Sequence, residues 1–91
     1  MEYIFGDPQN ITSSVNVMAR SGYLTGIWVA SASSSGTLAV YDSATTTTST
    51  IVANTFTPIA ASWYPIPFRV SAGVYVVVAG TVDCTVGTVA A

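Results

Sequence analysis

The sequence predicts an all-β chain, folded as a small antiparallel β-sandwich, jelly-roll-like or immunoglobulin-like, of about seven or eight short strands. Three observations carry this reading. Glu, Lys, Gln and Leu are scarce, so little favours a helix. Val, Thr, Tyr, Ile, Phe and Trp are common, and these residues fit a pleated, half-buried surface. Gly and Ser/Thr clusters interrupt the chain at short, fairly regular intervals, the spacing of a sandwich.

In chain order, residues 1–10 read as an irregular N-terminal arm, with Asp7-Pro8 as a turn because a proline disfavours a helical residue before it. Residues 11–91 read as one sandwich domain. Ile11, Val15 and Val17 mark a first strand over 11–18, ended by Ser21-Gly22. Over 23–32, Ile27 and Val29 face one way and Trp28 and Ala30 the other, as the period of two requires. Ser31 to Gly36 is a loop of small residues, and 37–42 returns as a strand, which makes 23–42 a hairpin candidate. Ser43 to Thr50 is nearly pure Ser and Thr and predicts an exposed, mobile loop. One or two short strands follow in 51–61. In 63–70, Tyr64, Ile66, Phe68 and Val70 share a face, while Pro65 and Pro67 remove two N–H donors from one side. That places the segment at a sheet edge. Val74 to Val78 is apolar on both faces and predicts a central strand. After Gly80, Val82, Cys84 and Val86 alternate with Thr81, Asp83 and Thr85; the spacing predicts a second hairpin joined around Ala79-Gly80. The phrase Ser35-Gly36-Thr37-Leu38-Ala39-Val40 faintly echoes Ala79-Gly80-Thr81-Val82-Asp83-Cys84.

A chain of 91 residues supports one core, with stability on the order of 5–10 kcal/mol. Its charge content is unusual. Charged residues make up 7%, against about 25% in an ordinary soluble domain, while 51% of residues are apolar. The charged residues are Glu2, Asp7, Asp42, Asp83, Arg20 and Arg69, and the net charge is −2. A free monomer of this composition would normally carry more charge. The surface is therefore expected to be part hydroxyl-rich and part covered by partner chains. Two arginines 49 positions apart form no basic patch, which excludes phosphate-backbone binding to nucleic acid and a polybasic membrane-surface segment. Residues 1–10 lack the basic and apolar regions of a secretory signal. The uncharged stretch 43–68 contains Pro58, Pro65 and Pro67 among many Thr, so it is no membrane-spanning run.

The inventory also limits chemistry. With no His, neither a Ser-His nor a Cys-His pair can exist. With no Lys, there is no Schiff base and no phosphate-loop lysine. Asp42 and Asp83 sit near strand ends, where Asp is a common turn or surface residue; alone they are too few for a calcium site. A single cysteine, Cys84, rules out an intrachain disulfide and a Cys-rich zinc site, and reads as a small buried hydrophobe. The glycines at 22, 26, 36, 73, 80 and 87 stand singly, so no phosphate-cradling loop is present. Asn10-Ile11-Thr12 matches the N-glycosylation acceptor pattern, a short match that is frequent by chance. These absences predict no catalytic residues, no cofactor, no metal and no enzyme activity.

The aromatic residues are the candidate interaction sites. Trp28, Trp63 and Tyr64 read either as core and interface anchors or as a sugar-stacking platform. Tyr3, Ile4 and Phe5 read either as a docking arm or as a segment folded onto its own domain.

The phrases Gly22-Tyr23-Leu24-Thr25-Gly26-Ile27-Trp28-Val29 and Ser35-Gly36-Thr37-Leu38-Ala39-Val40-Tyr41-Asp42 resemble small β-sandwich virion proteins of tailed bacteriophages. So do Ile66-Pro67-Phe68 and the run from Gly73 to Val86. The resemblance covers about residues 22–89 and is one of rhythm, not of a diagnostic motif. It implies a capsid decoration (cement) protein or a module of a head fibre, tail fibre or spike, located in the virion. It further implies a homo-oligomer, a trimer by preference, with the major capsid protein as partner. The complete absence of Lys departs from what such proteins usually carry.

Overall fold

The computed structural model describes residues 6–91; the Tyr3-Ile4-Phe5 tip lies outside them. The described residues form eight strands and no helix. These are β1 (Asp7–Ile11), β2 (Val15–Met18), β3 (Gly22–Ala32), β4 (Thr37–Asp42), β5 (Ile51–Phe56), β6 (Ser62–Val70), β7 (Val74–Ala79) and β8 (Val82–Ala90). They build two four-stranded antiparallel sheets, in the orders β1-β8-β3-β6 and β2-β7-β4-β5.

The pairing is nested. β1 pairs with β8, β2 with β7, β3 with β6 and β4 with β5, as along one long hairpin. That hairpin is folded over so that β3 also meets β8 and β4 meets β7. This is the jelly roll, and it decides between the two sandwich types the sequence allows.

The core follows from alternation. On β3, Leu24, Ile27 and Val29 are buried while Tyr23 and Trp28 are exposed. On β8, Val82, Cys84 and Val86 point inward as expected. From the other sheet, Leu38, Val40, Val74 and Val76 meet them with no measurable exposure. β7 lies in the middle of its sheet, and β6 with its two prolines lies at an edge, both as the sequence predicts.

Four expectations need correction. Residues 11–18 are not one strand: Ile11 ends β1 in one sheet and Val15 starts β2 in the other. Residues 7–10 are not an irregular turn but strand; β1 is an edge strand, the position in a sheet where a proline such as Pro8 is tolerated. The segment 23–42 is not a hairpin, because β3 and β4 belong to different sheets. The same holds for 74–86, where β7 and β8 separate. Both connections switch sheets at one end of the sandwich and pack together. Ser33 N–H donates to the Thr81 carbonyl (2.8 Å), and Thr81 N–H donates to Ser33 Oγ (3.2 Å). Gly80 adopts a left-handed φ of 73°, and a side chain there would meet the Gly36 backbone at 2.9 Å. The echoed phrases are thus spatial neighbours at a shared corner.

The loop after β4 is exposed from Ala44 to Thr50, but its first turn is pinned. Ser43 is buried, and its Oγ accepts from the N–H groups of Thr45 (3.0 Å) and Thr47 (3.2 Å). Asn16 on β2 donates to the carbonyls of Ser43 (2.9 Å) and Thr45 (3.0 Å).

Candidate functional site

The outer face of the β1-β8-β3-β6 sheet carries the aromatic site. Trp28 on β3 and Trp63 on β6 are direct cross-strand partners, and both point to solvent, 43% and 51% exposed. Tyr23 lies exposed further along the same face. Two neighbouring indoles this exposed on one small domain are the informative observation, since Trp is on average highly buried.

Glycines shape the surface beside them. Gly26 of β3 pairs with both Gly87 of β8 and Pro65 of β6. A Cβ at Gly26 would lie 2.5–2.6 Å from Cη2 and Cζ2 of Trp63, so the indole rests over bare backbone. A Cβ at Gly87 would strike the Thr25 hydroxyl. The result is a shallow groove of about 260 Å³. Trp28, Trp63 and Pro8 form its apolar walls; Thr25 and Thr85 supply hydroxyls, and Gly6 and Gly87 complete the lining. Among the described residues no ionisable side chain lines it. Beside it, Asn10 Nδ2 donates to the Asp83 carboxylate (2.8 Å) and to the Cys84 carbonyl (3.0 Å), tying β1 to β8.

Tyr64 does not join this site. It faces the other side of β6, where its ring packs on Phe56 of β5 at 5.1 Å between centroids. Its hydroxyl accepts from the Ile59 N–H (2.8 Å), which anchors the connection from β5 to β6. Of the readings the sequence left open for Tyr64, this packing is that of a core anchor, and Tyr64 does not line the groove. Sequence reasoning missed the contribution of Tyr23, Thr25, Gly26, Thr85 and Gly87. The available signal was glycine in strand interiors, which marks close approach by another group.

The opposite outer face carries a second aromatic pair. Tyr41 on β4 and Tyr75 on β7 are register partners with ring centroids 6.4 Å apart, and Ile51 on β5 is exposed next to Tyr41.

Asp42 and Cys84 have structural roles. The Asp42 carboxylate accepts from the backbone N–H groups of Ser71 (2.9 Å), Ala72 (2.8 Å) and Gly73 (3.2 Å). It thereby caps the turn that carries the chain from β6 in one sheet to β7 in the other. Partial burial opposes its ionisation, but the three donors outweigh that and hold its pKa below the ordinary value. Cys84 is fully buried, and burial together with the neighbouring Asp83 charge pushes its thiol up to about 11.

No protein family, curated protein or solved structure matches this chain.

Proposed function

We propose that the chain is a structural virion protein: a capsid decoration (cement) protein that binds the outer surface of a bacteriophage head and stabilises it. The observation that carries the adhesive part of this reading is the contrast between edges and faces. All four sheet edges are blunted. β1 has Asp7 and Pro8, and β6 has Pro65, Pro67 and Arg69. β2 has four residues and a register shift, and β5 has two register shifts against β4. Such devices prevent strand addition. The faces, in contrast, carry large apolar side chains on a chain with very few charges: Tyr23, Trp28 and Trp63 are exposed on one, and Ile51 is exposed beside the half-buried Tyr41 and Tyr75 on the other. Association then proceeds by face burial, at about 25 cal/mol per Å² of apolar surface.

Sites on a symmetric shell repeat, so moderate contacts suffice once copies are linked. A trimer engaging three equivalent sites gains avidity without any new contact. In this reading the major capsid protein is the partner, the role is non-catalytic, and Trp28 and Trp63 are contact residues. The phage assignment rests on the resemblance of the phrases described above; the jelly roll is compatible with it but serves many functions.

The test is reconstitution. Purified chain added to heads that lack it should cosediment to a saturating stoichiometry and raise the temperature at which the heads rupture. Absence of cosedimentation at micromolar concentration refutes the proposal.

One observation favours the second reading, a module of a head fibre, tail fibre or spike that meets a host receptor. The indole-walled groove has the form of a small-ligand site, not of a broad protein contact.

A further inference from the structure

We propose that the groove between Trp28 and Trp63 binds a neutral pyranose sugar, as the terminal unit of a glycan. This inference rests on the second reading above, in which this face is turned to a host surface and not to the shell. Three features select the ligand class.

The first is charge. Among the described residues no ionisable side chain lines the groove, and neither Arg20 nor Arg69 borders it. An anionic ligand finds no cation among the described lining residues, and the Asp83 carboxylate beside the groove is already engaged by the Asn10 amide, so a neutral ligand is favoured. The second is the mixture of surfaces. A pyranose ring presents a C–H face and a rim of hydroxyls. The negative face of an indole attracts the weakly positive C–H groups. The Thr25 and Thr85 hydroxyls each both donate and accept, which suits sugar hydroxyls. The third is size and floor. The volume of about 260 Å³ lies just below the range of drug-sized pockets, which begins at roughly 300 Å³. Gly26 and Gly87 keep the floor at backbone level, and the Trp63 ring over Gly26 is held where a side chain would displace it.

The experiment titrates the full chain with maltotriose, cellotriose and chitotriose, and with sialyllactose as an anionic probe, following tryptophan fluorescence and amide chemical shifts. At least one neutral trisaccharide should saturate. W28A and W63A should each weaken binding by about tenfold or more, while W63F keeps most of it. T85V, which leaves the indoles in place, should weaken it by a smaller factor, and the melting temperature of each variant reports its folding. Failure of all three neutral probes to saturate overturns the proposal. So does binding unaffected by W28A and W63A, or a preference for sialyllactose. Loss of head attachment in W28A, with no sugar binding by the parent chain, assigns the groove to the shell: the sugar site falls and the decoration role stands. Sugar binding by a chain that does not attach to heads gives the reverse result.

Discussion

Replacing Asp42 by Ala removes the cap on the turn between β6 and β7 and leaves three N–H groups without their acceptor. A hydrogen bond to a charged group contributes about 1.5–3 kcal/mol, but the carboxylate is partly solvent-exposed and water replaces some of what is lost. A net cost of about 1–2 kcal/mol follows. For a domain of this size each kcal/mol lowers the melting temperature by roughly 4–8 °C, so D42A should melt about 4–16 °C below the parent. The sign of the pH dependence is fixed by the lowered pKa. The carboxylate contributes its full stability above the unfolded value, about 3.9, and loses it as pH falls through the lower folded value. Arg69 borders the same notch. Melting curves of parent, D42A and D42N between pH 7 and pH 2.5 should therefore diverge at neutral pH and converge in acid. D42N should lie between the others, since its amide oxygen keeps an uncharged acceptor. A D42A melting temperature within about 2 °C of the parent at pH 7, or a gap that persists unchanged at pH 2.5, would refute the reasoning.

Further outcomes follow from the core and the groove. Cys84 is buried with its thiol raised to about 11, so a disulfide-exchange reagent at pH 8 should leave it unmodified until the chain is unfolded in guanidinium; rapid labelling of native protein contradicts this. Gly26→Ala puts a Cβ within 2.6 Å of Trp63 ring carbons and of the Tyr64 carbonyl. It should cost about 1–3 kcal/mol and shift the tryptophan emission, and an unchanged spectrum with unchanged melting counts against the close packing. Ile27→Ala empties a site with no exposure at the centre of β3, and denaturant unfolding should show a loss of about 2–5 kcal/mol, enough to unfold much of a marginal domain.

Burial was legible in the sequence because it is written in a period of two. Val82, Cys84 and Val86, or Ile27 and Val29, declare their inner face without reference to any partner. The edge position of β6 was legible because Pro65 and Pro67 state a local fact about missing donors. Pairing was not legible. A run such as Val74 to Val78 followed by Gly80 and Val82 has the same local pattern whether the chain turns back in one sheet or crosses to the other. The difference lies in register partners far away, Val15 and Val40 for Val76, Ile11 and Val29 for Cys84. The aromatic site was half legible. Alternation put Trp28 on the face opposite Ile27 and Val29, and its partner Trp63 lay one residue from Tyr64 and therefore on the opposite face from it. What brings the two indoles together is the register of β3 against β6, and the groove depends on glycines whose role shows only when Trp63 is seen lying over one of them.

The central claim is that this blunt-edged sandwich coats a phage head through its faces. Quantitative mass spectrometry of purified virions, with the major capsid protein as internal standard, tests it most directly. A decoration protein predicts copies in the hundreds, in simple ratio to the capsid subunits. A handful of copies per particle would place the chain on a tail or fibre and contradict the account.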